Sequence, residues 1–285
     1  MNEENPKKDK RIVVAAYLEL LEYSQLPGLT EGIAANNENS LDQMLGTMDC
    51  NEDIFITFKK GPNNCLWRLA GTNIQIFIDQ LTNVIAAAYV KYSSRSMGRK
   101  RPNTILVRGG ISDKICNDFS ELRLDEKHLY NDLGKVCLYS EKLRNKIKIK
   151  GPRLFFNKST ETNLENTDML REVDTDAGIY EIVWTVKGCE SCQSCESYKK
   201  QNIDESIHCK MLPAAINLVK FNSDDLKFSA DLKDLLKLVC QGIVRYAEIN
   251  EGKSGAQEAL QSINKELSKN GLDNYGMEEL LEGFV

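Results

Sequence analysis

The segment PNTILVRGGISD, residues 102–113, decides the fold because it leads an extended apolar strand into an Arg-Gly-Gly triplet. Its residues 104–107, Thr-Ile-Leu-Val, form a β-type run that Pro102 opens. Gly109 and Gly110 carry no side chain, so a second backbone or a ligand can approach closely. A glycine pair after a strand is common in bulges and hairpins as well as at nucleotide or subunit contacts. The surrounding segments are therefore needed to decide whether the glycine pair is structural or part of a binding site.

Strand-like and helix-like patterns alternate on both sides of this segment. Strands are expected at four further apolar or alternating runs: 11–21, 53–58, 152–157 and 178–186. Helices are expected where apolar residues recur at helical spacing: 40–45, 66–94, 129–145, 224–247 and 256–269. The polar stretch 158–177 is expected to be a loop. This order predicts an α/β sandwich, in the wider sense an α+β fold, with a helical C-terminal extension.

Composition limits the class of protein. The chain has 285 residues, 41% of them hydrophobic, which is enough to bury a sizeable core. A net charge of −5 argues against a nucleic-acid or membrane-surface partner. No apolar run approaches the roughly 20 residues of a membrane-spanning helix, and the N-terminus is unlike a signal peptide. We therefore expect a cytoplasmic protein whose nine cysteines are thiols or metal ligands rather than disulfides.

Five segments of the chain, taken in order, resemble one family. They are VVAAYLELLEYS (13–24), NEDIFITF (51–58), LVRGGIS (106–112), LYNDLGKVCLYSEKL with GPRLFF (129–156) and YEIVW (180–184). Together they resemble the class III nucleotidyl cyclases of bacteria, among them the pyrimidine cyclases of Pycsar-type phage defence. The resemblance covers residues 12–186, and it rests on the order of the segments rather than on any single one.

The resemblance implies a ferredoxin-like βαββαβ sheet covered by helices. It also implies a homodimer, or a heterodimer with another cyclase-like subunit, with active sites in the groove between the two chains. A nucleoside triphosphate would be converted there to a 3′,5′-cyclic monophosphate signal. The chain then divides into a charged tail at 1–11, a cyclase-like domain at 12–187, a cysteine-rich loop at 188–223 and a helical extension at 224–285.

The same resemblance places the family's two metal-binding aspartates on Glu19 and Glu52, with Asp53 as the second ligand if the register slips by one. Carboxylates on adjacent strands can hold two Mg²⁺ or Mn²⁺ ions, which activate the ribose 3′-hydroxyl and neutralise the triphosphate. Both positions are acidic, but glutamate is one methylene longer than aspartate. We therefore expect a site that differs in geometry from the family's usual one.

Two basic residues, Arg108 and Lys135, would neutralise phosphate charge in such a site, although an ordinary ion pair or a solvated helix face also explains them. Gly109 and Gly110 would line the nucleotide. Glu22 stands where the family has a turn glycine, and its carboxylate would repel a triphosphate. Weaker phosphate binding than in the family is therefore expected.

The spacing of four cysteines forms a second constellation. Cys189, Cys192 and Cys195 are separated by two residues each, and Cys209 follows beside His208. Four thiolates can surround one tetrahedral Zn²⁺, and this spacing suits zinc better than an iron–sulfur cluster. A cysteine-rich loop without metal is the alternative. We expect a structural zinc clip with no catalytic role.

Three hypotheses follow from the sequence. The first is a divergent cyclase that makes a cyclic nucleotide at a two-metal site, with a signalling role that includes phage defence. The second is a catalytically inactive cyclase homologue that binds a nucleotide or a partner cyclase as a regulator. The third is a zinc-stabilised scaffold with no nucleotide site.

Overall fold

The architecture is that of a mixed α+β protein. The computed structural model describes residues 11–21, 41–46, 57–60, 66–71, 73–96, 104–116, 151–158, 164–165, 167–174, 176–193, 211–221 and 226–272. Seven strands lie in these stretches: β1 (Arg11–Leu20), β2 (Thr57–Lys60), β3 (Leu66–Gly71), β4 (Val107–Cys116), β5 (Leu154–Asn157), β6 (Leu170–Asp174) and β7 (Ile179–Ile182). The longer helices are α1 (Ile74–Ser96), α2 (Thr185–Gln193), α3 (Met211–Phe221) and α4 (Leu226–Lys269). Of the helices in these stretches, none has both the length and the apolar character needed to span a bilayer.

All seven strands belong to one sheet with the order β2-β3-β1-β4-β5-β7-β6. β1 is antiparallel to both of its neighbours, β3 and β4, and β2 is antiparallel to β3. β5 runs parallel to β4, and β7 and β6 then continue the sheet as an antiparallel pair. A register shift between Glu172 and Asp174 marks an irregularity in β6 at the edge of the sheet. The strand pair β1–β4 therefore lies at the centre.

The two faces of the sheet differ because side chains alternate along each strand. One face, the core face, is apolar and packs into the main hydrophobic cluster together with the helices: Val14, Ala16, Leu18, Ile111, Leu154, Phe156 and Ile182. The other, which we call the second face, carries the residues opposed to one another in the register as Tyr17 and Gly110, Glu19 and Arg108, and Phe155 and Glu181. Burial of the core face against helices sets the register, since a slip of one residue would exchange the faces.

Buried polar contacts fasten the end of the sheet to the helices. The indole N–H of Trp184, just after β7, donates to the carbonyl oxygen of Pro152 at 2.9 Å. The Trp184 ring also packs edge-to-face on Tyr89 of α1, with centroids 5.7 Å apart. The hydroxyl of Thr185, at the start of α2, donates to the carbonyl of Leu238 in α4 at 2.7 Å. Each of these groups would cost free energy if it were buried without a partner.

The long helix α4 consists of two halves joined at Gly252. That residue has φ 69° and ψ −162°, which is not a helical conformation, and is one that residues other than glycine rarely adopt. Val239 before the break and Ile263 after it both belong to the main hydrophobic cluster. The sequence predicts two helices, at 224–247 and 256–269, and the break at Gly252 confirms that they are separate.

Several predicted elements are confirmed and others are wrong. The strands predicted at 11–21 and 152–157 correspond to β1 and β5. The run predicted as a strand at 104–107 overlaps β4 only at Val107, because β4 runs from there through the Arg-Gly-Gly triplet to Cys116. The helix predicted from Leu66 is wrong in its first part, because residues 66–71 form β3, paired with β1. The apolar spacing of this strand runs on into that of α1, so the two cannot be separated by periodicity alone.

The region after β5 also differs from the prediction. The stretch expected to be a polar loop, 158–177, contains the short strand β6. The last strand ends at Ile182 rather than at residue 186, and α2 begins directly afterwards. The cysteine-rich loop expected at 188–223 is helical in its described parts, in α2 and α3. The helix predicted at 129–145 lies outside the described residues.

Candidate functional site

The candidate site begins at Glu19, near the end of the central strand β1. Its register partner on β4 is Arg108. Arg108 Nε donates to Glu19 Oε2 at 2.8 Å, and the two side chains are 23% and 18% exposed respectively. The acidic residue of the predicted metal site and the predicted phosphate-binding arginine therefore meet on the second face. They meet as an ion pair.

The two glycines of β4 have different surroundings. A Cβ added to Gly109 would lie 2.3 Å from the carbonyl oxygen of Tyr17 and 2.8 Å from Leu18 Cδ2. Close packing of β4 against β1 therefore explains the glycine at this position, and no ligand is needed to account for it. Gly110 lies one residue further on, opposite Tyr17 in β1 and Phe155 in β5, and is buried. It is Gly110 that shares the second face with Glu19.

A second charged cluster lies on the same face, further along the sheet. Glu181 of β7 is completely buried and receives hydrogen bonds from two arginines. Arg153, just before β5, binds it in a bidentate manner, with Nη2 2.7 Å from Oε2 and Nε bonded to Oε1. Arg171 of β6, the register partner of Glu181, donates from Nε to Oε2 at 2.9 Å. Bidentate charge-assisted bonds of this kind are strong and directional.

The guanidinium of Arg153 is held on several sides. It lies over the ring of Phe155, 5.2 Å from the centroid, a cation–π arrangement. Burial alone would lower the pKa of Arg153, but the hydrogen bonds and the charge of Glu181 raise it above its ordinary value. Arg153 is therefore permanently charged, and its position is fixed.

The loop before Arg153 is anchored to α4. The backbone N–H of Gly151 donates to Asp231 Oδ1 at 2.8 Å. Gly151 has φ 68°, and a Cβ there would lie 2.6 Å from Asp234 Cβ, so glycine is required. Burial raises the pKa of Asp234 above its ordinary value, although the nearby positive charge of Arg153 opposes that shift.

Other predicted site residues are only partly covered by the structure. Glu52, Asp53 and Lys135 lie outside the described residues, and so do Cys195 and Cys209. Cys189 lies in α2 and is buried in the main hydrophobic cluster. The backbone of Cys192 follows one helical turn later. The structural zinc clip stays a prediction.

The fit of a divalent ion to Glu19 depends on Arg108. Mg²⁺ and Mn²⁺ bind carboxylate oxygens, and one oxygen of Glu19 already accepts a hydrogen bond from Arg108. A metal ion and a guanidinium would therefore compete for this carboxylate. In the described stretches, no three His, Cys, Asp or Glu side chains form a group that could hold a metal. Glu52 or Asp53, the second predicted ligand, would have to complete such a site.

Sequence reasoning missed the roles of Arg153, Glu181 and Arg171. A signal existed for two of them, because Arg153 belongs to the Pro-Arg segment of the resemblance, and Glu181 is a lone charge within the apolar run GIYEIVWTV. A charge inside a buried strand requires a partner. Arg171 could not have been chosen as that partner, because β6 itself was not predicted.

Comparisons with protein-family models, with curated proteins and with solved structures find no match to this chain.

Proposed function

We propose that this protein is a divergent class III-like nucleotide cyclase, which binds a nucleoside triphosphate on the second face of the sheet and converts it to a 3′,5′-cyclic monophosphate. Glu19 and the acidic pair Glu52 and Asp53 would hold Mg²⁺ or Mn²⁺. The single observation that carries the proposal is the meeting of Glu19 with the Arg-Gly-Gly strand at the centre of the sheet.

The strand order supports the proposal. A ferredoxin-like βαββαβ chain requires the order 2-3-1-4 with every neighbouring pair antiparallel, and the first four strands have this order and these directions. α1 connects β3 to β4, and a short helical segment at 41–45 lies between β1 and β2 in the chain. We infer a ferredoxin-like core of the cyclase type, extended by β5, β7 and β6.

The proposed reaction forms one bond and breaks one. The ribose 3′-oxygen attacks the α-phosphorus, the bond from that phosphorus to the oxygen bridging to the β-phosphate breaks, and pyrophosphate leaves. The proton of the 3′-hydroxyl is lost to solvent. Bound divalent ions would lower the pKa of that hydroxyl. Arg108 would neutralise phosphate charge, and it would do so most effectively once its bond to Glu19 is exchanged for one to the ligand.

The ion pair itself favours a second candidate, a catalytically inactive cyclase homologue that binds a nucleotide or a partner cyclase. In that protein Arg108 would take the place of a metal ion as the counter-charge of Glu19. Nucleotide binding would then continue without divalent ions, and cyclisation would not occur.

One experiment separates the two candidates. The purified protein is incubated with each of the four ribonucleoside triphosphates and Mn²⁺, and cyclic monophosphate is sought by mass spectrometry. We expect product from the wild type, none from the Glu19→Ala, Glu52→Ala double variant, and unchanged product from Glu258→Ala on the exposed side of α4. Triphosphate binding without product supports the inactive homologue, and the absence of both contradicts the cyclase and the nucleotide-binding form of the inactive homologue.

A further inference from the structure

Charged side chains form a row across the second face. Its members come one each from β1, β4, the residue before β5, β7 and β6: Glu19, Arg108, Arg153, Glu181 and Arg171. Register pairs Glu19 with Arg108 and Glu181 with Arg171. The parallel pairing of Gly109 with Leu154, together with the hydrogen bond from Gly109 N to the carbonyl of Arg153, places Arg108 and Arg153 side by side.

Within the row, arginines outnumber carboxylates. It contains three guanidiniums and two carboxylates, and two of the arginines, Arg153 and Arg171, share the single carboxylate of Glu181. Arg108 of β4 and Arg153, just before β5, lie side by side, where like charges repel each other. Asp234 of α4 also attracts Arg153, whereas Arg171 has Glu181 as its one carboxylate partner among the described residues.

Both arginines keep hydrogen-bonding capacity. A guanidinium has five N–H donors in a planar fork, and each of these two uses Nε and Nη2 on Glu181. In the stretches that the structure covers, neither guanidinium donates to a carboxylate other than Glu181. Their side chains are 29% and 21% exposed, whereas Glu181 is fully buried. Part of each arginine side chain therefore stays in contact with solvent, and a buried carboxylate already orients it.

We propose that Arg153 and Arg171 form a binding site for the polyphosphate group of a nucleotide, a site that requires no metal ion. Planar guanidiniums bind phosphate oxygens in bidentate geometry, and orientation by Glu181 lowers the entropy lost on binding. The identity of the ligand as a nucleotide rests on the proposed function, whereas the anion site itself rests on the charged row.

The test uses inorganic tripolyphosphate as the probe. Isothermal titration calorimetry measures its affinity for the full chain in a buffer that contains EDTA. We expect wild-type binding that weakens as salt is added. Arg171→Gln should lower the affinity about tenfold, because charge-assisted hydrogen bonds are lost. Arg171→Lys keeps the positive charge but loses the planar guanidinium, so its affinity should lie between those of the wild type and Arg171→Gln. Arg245→Gln on α4 removes the same charge away from the row, and its affinity should equal that of the wild type. Thermal unfolding verifies that each variant is folded.

The outcomes separate this inference from the proposed function. Absence of tripolyphosphate binding in a protein that cyclises a nucleotide with Mn²⁺ would overturn the anion site alone. Equal losses in Arg171→Gln and Arg245→Gln would overturn it too, since binding would then follow net charge only. Arginine-dependent binding in a protein that forms no cyclic product supports the anion site and contradicts the cyclase.

Discussion

At the scale of single residues, Glu181 is notable because it is an acidic side chain with no exposure to solvent. Its carboxylate is completely buried, and two partly exposed arginines share it. Removing one partner of a buried ion pair is strongly destabilising, because the charge that remains has no water to solvate it. The pair of arginines is therefore a structural requirement as well as a proposed binding site.

The neutral variant Glu181→Gln should lower the free energy of unfolding by roughly 2 kcal/mol, because two partly exposed guanidiniums lose their charge-assisted bonds to the shared carboxylate. Chemical denaturation with urea measures the change. The exposed Glu258→Gln on α4 removes the same charge at the surface, where the effect should stay within about 0.5 kcal/mol. Equal effects of the two substitutions would contradict a stabilising role for the buried cluster.

A pH dependence follows from Asp234. Burial raises its pKa in the folded protein above the ordinary value of 3.8, so the folded state favours the protonated form. Stability from this group is therefore greatest below the unfolded pKa and is lost as the pH rises through the folded pKa. Asn does not titrate, so Asp234→Asn should not lose stability in this way as the pH rises.

We expect the melting temperature of Asp234→Asn to gain on the wild type as the pH rises from about 3.5 to 7. Thermal unfolding followed by circular dichroism at several pH values measures this gain. Asp176→Asn, at an exposed turn, removes the same charge at the surface and controls for net charge. A difference that is independent of pH would contradict the burial of the Asp234 carboxyl.

At the scale of elements, the sequence predicts strands well where apolar residues are continuous and poorly where short strands carry charge. The segments RIVVAAYLELL and PRLFFN predict β1 and β5, whereas LREVD in β6 contains three charged residues and is typical of a loop. Local sequence patterns do not reveal which strands pair. Residues 170–174 form a strand because they pair with β7. An ion pair is an open alternative for Arg108, but the sequence cannot identify Glu19 as its partner because the contact depends on strand register.

The break in α4 predicts a difference between two glycines. Gly252, with φ 69° and ψ −162°, and Gly271, with φ 71°, both have open space where a Cβ would lie. Gly271 ends the helix in the common left-handed conformation, with Leu272 N bonded to the Leu267 carbonyl. Gly252→Ala should cost about 1–3 kcal/mol through backbone strain, and Gly271→Ala about 1 kcal/mol.

Urea denaturation of both variants measures these costs. A Gly252→Ala variant as stable as the wild type would mean that α4 continues through residue 252 as an unbroken helix.

At the scale of the whole molecule, one hydrophobic cluster of the described residues joins the sheet to the helices α1 to α4. It contains Leu18 of β1 and Phe156 of β5 as well as Leu236 and Ile263 of α4. A helix that contributes to the only large core of the described residues is needed for the fold. Composition correctly predicted a sizeable core, but it could not show that the C-terminal helices complete it.

A chain ended at residue 225 should therefore not unfold cooperatively, because it loses buried residues such as Leu235 and Val239. A chain ended at residue 251 keeps the first half of α4 and should unfold cooperatively at a lower temperature. Near-UV circular dichroism and the fluorescence of the two tryptophans, Trp67 and the buried Trp184, follow both variants. Cooperative unfolding of the shorter chain would show that the sheet folds without α4.

The irregularity at β6 has a consequence for solubility. This strand is the last of the sheet, and its residues Glu172, Val173 and Asp174 are exposed beside the register shift. Regular, flat and uncharged edges invite strands from other molecules and so begin aggregation, whereas a bulge and negative charge discourage that addition. The charged residues that hid β6 in the sequence, together with the register shift, are thus expected to protect concentrated protein from edge-to-edge association.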